Sequence, residues 1–184
     1  MKALLIVDVQ NDFCPGGALP APAGDRVVPV INRLMDAFDV AVASKDWHPD
    51  STVHFDTWPR HCIQGTWGAE LHPDLRQDRI GLFALKGTRD SDEGYSAFEA
   101  TNIDLEGYLK DRGVDSLYLT GIAAEYCVKA SALDAVRRGF AAYVIKDAVA
   151  AVELKQGDAD RAFQEMQQAG VKVVLSSEVP SGSL

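Results

Sequence analysis

Long apolar runs are missing from this chain of 184 residues. None approaches the roughly 20 residues that a membrane-spanning helix needs. The opening Met1-Lys2-Ala3-Leu4-Leu5-Ile6-Val7 is too short for the core of a signal peptide, and no small-residue cleavage site follows it. The expectation is a cytoplasmic protein with no membrane partner. Positive charge is scarce as well: 18 Lys and Arg stand against 27 Asp and Glu, for a net charge of -9. With no Lys/Arg cluster to offset this, a nucleic-acid partner is excluded. The three cysteines, Cys14, Cys62 and Cys127, are an odd number without a framework spacing, which fits reduced thiols in a reducing compartment. No Gly-x-Gly-x-x-Gly follows the first apolar run, and no Gly-x-x-x-x-Gly-Lys-Ser/Thr occurs, so a dinucleotide or triphosphate site has no support. Internal repeats and linkers are absent too. Residues 1–184 therefore read as a single domain, long enough for a substantial core.

What is present is an alternation of apolar runs and helical patterns. Residues 2–7 form a continuous apolar strand of the kind buried on both faces of a parallel sheet. Further strands are expected over 39–43, 80–85, 116–120, 140–145 and 171–175. Between them, Val27, Val28, Ile31, Leu34, Met35 and Phe38 recur at helical spacing. Helices are also expected over 104–112, 129–138 and 158–169, closed by Gly113, Gly139 and Gly170, with a short helical piece over 96–100. Residues 176–184 read as a loose tail. Such alternation gives an α/β three-layer sandwich, an approximately six-stranded and mainly parallel sheet with helices on both faces. Residues 44–79 break the pattern. They hold Pro49, Pro59, Pro73, tryptophans and all four histidines, and a long irregular segment inside a compact domain is usually functional.

The chemistry collects at strand ends, where ligands bind in open α/β sheets. Gly121-Ile122-Ala123-Ala124-Glu125-Tyr126-Cys127-Val128 joins the fourth strand to a helix. A cysteine near the first helical turn faces unpaired N–H groups and the positive end of the dipole, which lowers a thiol pKa and makes a nucleophile. The competing reading is a small buried hydrophobe. Asp8, Asp46 and Lys86 also fall at or just past strand ends, and four reactive groups so placed argue against four separate structural roles. Asp8, Lys86 and Cys127 suggest a proton carrier, a cation that keeps the other two ionised, and a nucleophile. Asp46-Trp47-His48, then His54, then Trp58-Pro59-Arg60-His61-Cys62 suggest a nitrogen and oxygen site for a divalent transition metal. Solvent-exposed loop histidines are the alternative. Cys62 is a ligand by type only, with His61 the better choice, and His72 is left out.

These pieces resemble the nicotinamidases of the isochorismatase-like cysteine hydrolase superfamily. The resemblance rests on Val7-Asp8-Val9-Gln10-Asn11-Asp12-Phe13, Lys45-Asp46-Trp47-His48-Pro49, Trp58-Pro59-Arg60-His61-Cys62, Lys86-Gly87 and the cysteine turn, which stand in family order. It implies an isochorismatase-like fold and a catalytic triad of Asp8, Lys86 and Cys127. Cys127 attacks the amide carbon, Asp8 carries the thiol proton to departing ammonia, and Lys86 holds their charge. It implies one divalent metal ion (zinc, iron or manganese) on Asp46, His48 and His61, with His54 a ligand in some members and only a neighbour in others. Phe13, Trp58 and Tyr95 match the aromatic wall of the pyridine site. The Ala123 and Cys127 N–H groups match the oxyanion hole, which follows a cis Ile122–Ala123 bond. The sequence departs from the family at Ala124, often Thr in relatives, and the spacing from His48 to His61 is at the short end of the family's range.

The expected activity is hydrolysis of nicotinamide to nicotinate and ammonia through a thioester, with a role in NAD salvage and pyrazinamide as an alternative substrate. A rival within the superfamily is an amidohydrolase for a carbamoyl or ureido substrate, without tightly bound metal. A rival outside enzymology is a binding or redox-sensing protein with Cys127 as its sensor thiol, which needs neither Lys86 nor Asp46-x-His48. The sequence leaves room for a homo-oligomer.

Overall fold

A computed structural model describes residues 1–180. Six strands form one sheet: β1 (Lys2–Val7), β2 (Val40–Asp46), β3 (Leu82–Lys86), β4 (Ser116–Ile122), β5 (Ala141–Ala150) and β6 (Lys172–Val174). Their order is β3-β2-β1-β4-β5-β6, and every pairing is parallel. The chain thus builds outward from β1 to one edge, then returns to lay β4 on the other side of β1. Such a reversal opens a crevice at the carboxyl ends of the strands beside it.

The helices are α1 (Val27–Leu34), α2 (Leu105–Asp111), α3 (Lys129–Arg137) and α4 (Asp158–Gln168). The alternation of β1 explains their distribution. Leu4 and Ile6 point into a core with Val27, Val28, Ile31 and Leu34 of α1. Ala3, Leu5 and Val7 point the other way, into a core with Leu105, Leu109, Ala132, Ala135, Phe163 and Met166. A strand apolar at every position is therefore covered on both faces. Among the described residues, no helix is long and apolar enough to cross a membrane.

Three differences from the sequence pattern matter. Strand β2 continues through Ser44, Lys45 and Asp46, which pair with Ala84, Leu85 and Lys86 of β3. These polar residues look like a loop in the sequence. They are tolerated in the sheet because Ser44 Oγ donates to Asp8 Oδ1 at 2.7 Å, and the Asp46 carboxylate accepts from Lys86. Strand β5 runs past its apolar core through Lys146 and Asp147, both exposed, to Ala150. The tail is held in part: Ser176–Glu178 forms a 3-10 turn, with Ser176 N donating to Asp147 Oδ1 at 2.7 Å and Pro180 O accepting from Lys2. Residues 181–184 of the expected tail lie outside the described residues.

One glycine is decisive for the site. Gly121 has φ +108°, and a Cβ there would lie 2.0 Å from the Val7 carbonyl oxygen. Only glycine lets β4 close on β1 at the point where its register against β5 shifts.

Candidate active site

The sheet order places Lys86, Asp46 and Asp8 at or just past the ends of three adjacent strands, with Cys127 beyond the fourth. Lys86 is fully buried at their centre. Its Nζ donates to Asp46 Oδ1, to the Gly94 carbonyl at 2.8 Å and to Cys127 Sγ at 3.5 Å. Asp8 Oδ2 lies 2.8 Å from the same nitrogen, and neither side chain is exposed. The other Asp8 oxygen is occupied by Ser44. Asp8 thus lies beside the thiol as well as beside Lys86, since Asp8, Asp46 and Cys127 offer atoms within 4.8 Å of one another.

The charges follow from burial and neighbours. Burial opposes the Lys86 ammonium, but Asp46 and Asp8 hold it charged, well above the usual lysine range. Burial also opposes the Asp46 charge, yet Lys86 and His48 keep its carboxyl below the usual range. Asp8 ends on the other side. Burial pushes its pKa up, Asp46 adds to this, and Lys86 only partly offsets them.

The thiol corrects the sequence expectation. Burial pushes Cys127 well above the ordinary thiol range, Lys86 pulls it down, and Asp8 and Asp46 push it up again. A helix start lowers a thiol pKa when little else acts on it. Here the site is closed and two carboxylates share it, so the resting sulfur keeps its proton. The local geometry differs as well: Cys127 lies inside a π-helical turn, Ala124–Val128, ahead of α3. The Ala123 carbonyl accepts from Tyr126 N and from Val128 N, each at 3.1 Å, passing over the intervening Cys127 N–H. The Ile122–Ala123 peptide is cis.

A second group of donors lies beside the first. His48, His54 and His61 are buried and offer nitrogens within 4.8 Å of one another. Asp46 Oδ2, the oxygen that Lys86 leaves free, is 3.6 Å from His48 Nε2 and 3.9 Å from His61 Nε2. Each of these two rings is aimed through its other nitrogen, His48 Nδ1 at the Gly87 carbonyl (3.0 Å) and His61 Nδ1 at the Pro59 carbonyl (2.6 Å). Such backbone contacts fix the tautomer that leaves Nε2 free to bind a metal. His48 Nε2 is buried and has no partner, which is costly unless something fills the site. Burial pushes His61 down and His54 down to about 4, so both rings are neutral at pH 7. Three imidazoles and a carboxylate fit a divalent transition metal. His54 sits within this group. Cys62, a ligand by type, does not: its sulfur faces the Gly68 carbonyl at 3.9 Å. His72 is also elsewhere, its Nδ1 accepting from Asp74 N.

A cleft joins the two groups. Phe13, Trp58 and Tyr95 line it together with Cys127, Ala123, Asp46, His54 and His61. Trp58 Nε1 donates to Tyr95 OH at 2.9 Å, which ties two of the aromatic walls together. The sequence reading missed Leu19, Tyr126 and Val152, which also line the cleft. Tyr126 could have been inferred from its place beside Cys127, but no pattern marked Leu19 or Val152.

Gln10 and Asp12, which follow β1, hold backbone around the site. Gln10 Nε2 donates to the Asp46 carbonyl at 2.7 Å, and Gln10 Oε1 accepts from Asp46 N at 2.8 Å. Asp12 Oδ2 accepts from Cys62 N at 2.7 Å, and Asp12 Oδ1 accepts from Ala18 N at 3.0 Å. The segment after β1 therefore grips the backbone of Asp46 and the backbone next to His61.

Comparison with known proteins places this geometry. The isochorismatase domain model matches residues 2–178, and the chain belongs to that family. The nicotinamidase of Acinetobacter baylyi is 41% identical over 201 residues, covering 96% of this chain and 94% of its own. The solved pyrazinamidase of Pyrococcus horikoshii, in complex with zinc, is 42% identical with a TM-score of 0.86, covering 95% of this chain and 98% of its own. PnC1 from L. infantum, solved in complex with nicotinate, is 35% identical with a TM-score of 0.90, covering 96% of this chain and 93% of its own.

Proposed function

We propose that this protein is a nicotinamidase, converting nicotinamide and water to nicotinate and ammonia through a thioester on Cys127. The observation that carries the reading is the buried Asp8 carboxyl group, paired with Lys86 at 2.8 Å and set beside the protonated Cys127 thiol. In the first step the Cys127 sulfur attacks the amide carbon while its proton passes to Asp8 Oδ2. The tetrahedral oxygen is received by the N–H groups of Ala123 and Cys127. The C–N bond then breaks, and Asp8 returns the proton to the leaving nitrogen, which departs as ammonia. Water attacks the thioester, giving Asp8 a proton and releasing nicotinate. The proton then returns to the sulfur.

Ring recognition falls to the second group of residues. Asp46, His48 and His61, with His54 as a fourth donor, would hold one divalent ion such as zinc, iron or manganese. When bound, that ion supplies a ligand position for a ring nitrogen and so orients the amide toward Cys127. Phe13, Trp58 and Tyr95 wall the ring and exclude water. Pyrazinamide, which carries a nitrogen at the same ring position, is the second substrate. The solved relatives bound to nicotinate and to zinc support this assignment.

The test is ammonia release from nicotinamide by the metal-supplemented protein. Wild type is expected to turn over, and Cys127→Ala to lose all turnover. Wild-type inactivity, or turnover by Cys127→Ala, would overturn the assignment.

A further inference from the structure

Glu125 stands two residues before Cys127 in the same turn and is buried, yet the amide chemistry makes no use of its carboxylate. That carboxylate binds backbone instead. Its Oε1 accepts from Glu153 N at 2.7 Å and its Oε2 from Val152 N at 3.2 Å. These two residues begin the connection from β5 to α4, just after Ala150 pairs with Ile122 at the end of the sheet. Val152 lines the cleft that holds Cys127. The far end of the connection is anchored separately: the Glu153 carboxylate accepts from Gly157 N at 2.5 Å and from Ala159 N at 3.3 Å at the start of α4.

Backbone N–H groups that leave a sheet without entering a helix need an acceptor. Glu125 supplies it for both, from a position rigidly coupled to the nucleophile. We propose that Glu125 is a positioning residue that sets the width of the ring-binding cleft, holding the Val152 wall at a fixed distance from the Cys127 turn. The proposal rests on the nicotinamidase reading, because it takes the cleft to be the site of the ring.

A carboxylate accepts at both oxygens, whereas glutamine offers one acceptor and turns a donor toward the second N–H. Glu125→Gln therefore releases one of the two bonds and lets Val152 move. A small change in an apolar wall alters discrimination between substrates that differ by one methyl group. The experiment measures kcat and KM for nicotinamide, 5-methylnicotinamide and 6-methylnicotinamide on wild type, Glu125→Gln, Glu125→Asp and Val152→Ala.

For Glu125→Gln, KM for nicotinamide should rise about five- to tenfold with kcat within about threefold, the pattern of lost uniform binding. The preference for nicotinamide over the methylated ring that wild type rejects more strongly should narrow about tenfold. Val152→Ala should narrow the same preference, and Glu125→Asp, which keeps both acceptors on a shorter arm, should fall between Glu125→Gln and wild type. Should Glu125→Gln not fold, Glu125→Asp decides in its place: shifts of the same sign support the clamp, and wild-type values overturn it. A folded Glu125→Gln with wild-type KM and selectivity overturns it, as does an equal fall in kcat on all three amides with the preference unchanged. A Val152→Ala protein with wild-type preference also overturns it. Wild-type protein that leaves nicotinamide intact overturns the underlying reading, and the proposal with it.

Discussion

Lys86 Nζ and Asp8 Oδ2 meet at 2.8 Å with no solvent exposure on either side chain. The same Lys86 nitrogen also faces Asp46, Gly94 and Cys127, so one buried cation serves both carboxylates and the thiol. Lys86 thus favours the Asp8 charge against the burial that opposes it. Removing one partner from a buried charge cluster leaves the others uncompensated and costs about 3–5 kcal/mol. Lys86→Met should therefore lower stability by that order in denaturant titration. It should also cut kcat/KM by about 10²–10⁴-fold, the usual worth of acid–base assistance. Wild-type stability and rate would show that Lys86 neither neutralises Asp8 nor assists the reaction.

The raised positions of Cys127 and Asp8 set the pH behaviour. A thiol held well above its usual value becomes more reactive as pH rises, gaining thiolate until it passes its own pKa. Iodoacetamide labelling of Cys127 should climb without levelling up to pH 9. Hydrolysis should behave differently, because it needs Asp8 ionised and takes the thiol proton during attack. Its kcat/KM should fall on the acid side with an apparent pKa above 3.8, the ordinary carboxylate value from which Asp8 is raised. Labelling that levels near neutral pH would point to a preformed thiolate and contradict the proton transfer to Asp8.

Substrate choice tests the metal assignment. A site that binds a ring nitrogen rejects an analogue lacking it more strongly than an apolar pocket can, by about 10⁴-fold at the upper range. Nicotinamide and pyrazinamide should both be hydrolysed, and benzamide should be far poorer. His48→Ala, which removes a buried and unpartnered Nε2, should lose metal by elemental analysis and narrow the gap between nicotinamide and benzamide. Equal rates on the two in wild type would contradict an orienting role.

Asp12 offers a test away from the reacting atoms. Its Oδ2 holds the N–H of Cys62, the residue after His61. Asp12→Asn keeps the shape but can turn an amide donor toward that N–H. Loss of such an outer contact typically weakens metal binding about 10–100-fold. Metal retention in competition with a chelator should fall by that order, and unchanged retention would show that Asp12 is needed only for folding.

Much of this was legible before any coordinates. The apolar run of β1, the helical spacing of Val27 to Leu34 and the glycine stops located the elements, because these patterns report burial directly. Asp8, Lys86 and Cys127 were legible as strand-end residues, and the sheet order then set them side by side. Three things were not legible. The end of β2 was obscured because Ser44, Lys45 and Asp46 are polar, and the partners that let them enter the sheet come from β1 and β3. The resting state of Cys127 was misjudged because a sequence displays a helix start but not the burial that outweighs it. The roles of Gln10, Asp12 and Glu125 were hidden because they act on backbone groups distant in the chain, 27 and 28 residues away in the case of Glu125.

The central claim is that nicotinamide passes through an acyl-enzyme on Cys127. Its most direct test is the partition of that intermediate between water and added hydroxylamine, measured with nicotinamide and with methyl nicotinate as alternative acyl donors. A shared thioester forgets its leaving group, so the ratio of nicotinohydroxamate to nicotinate should be the same from both substrates at each hydroxylamine concentration. Ratios that differ between the amide and the ester, or turnover of nicotinamide with no hydroxamate formed, would contradict the account.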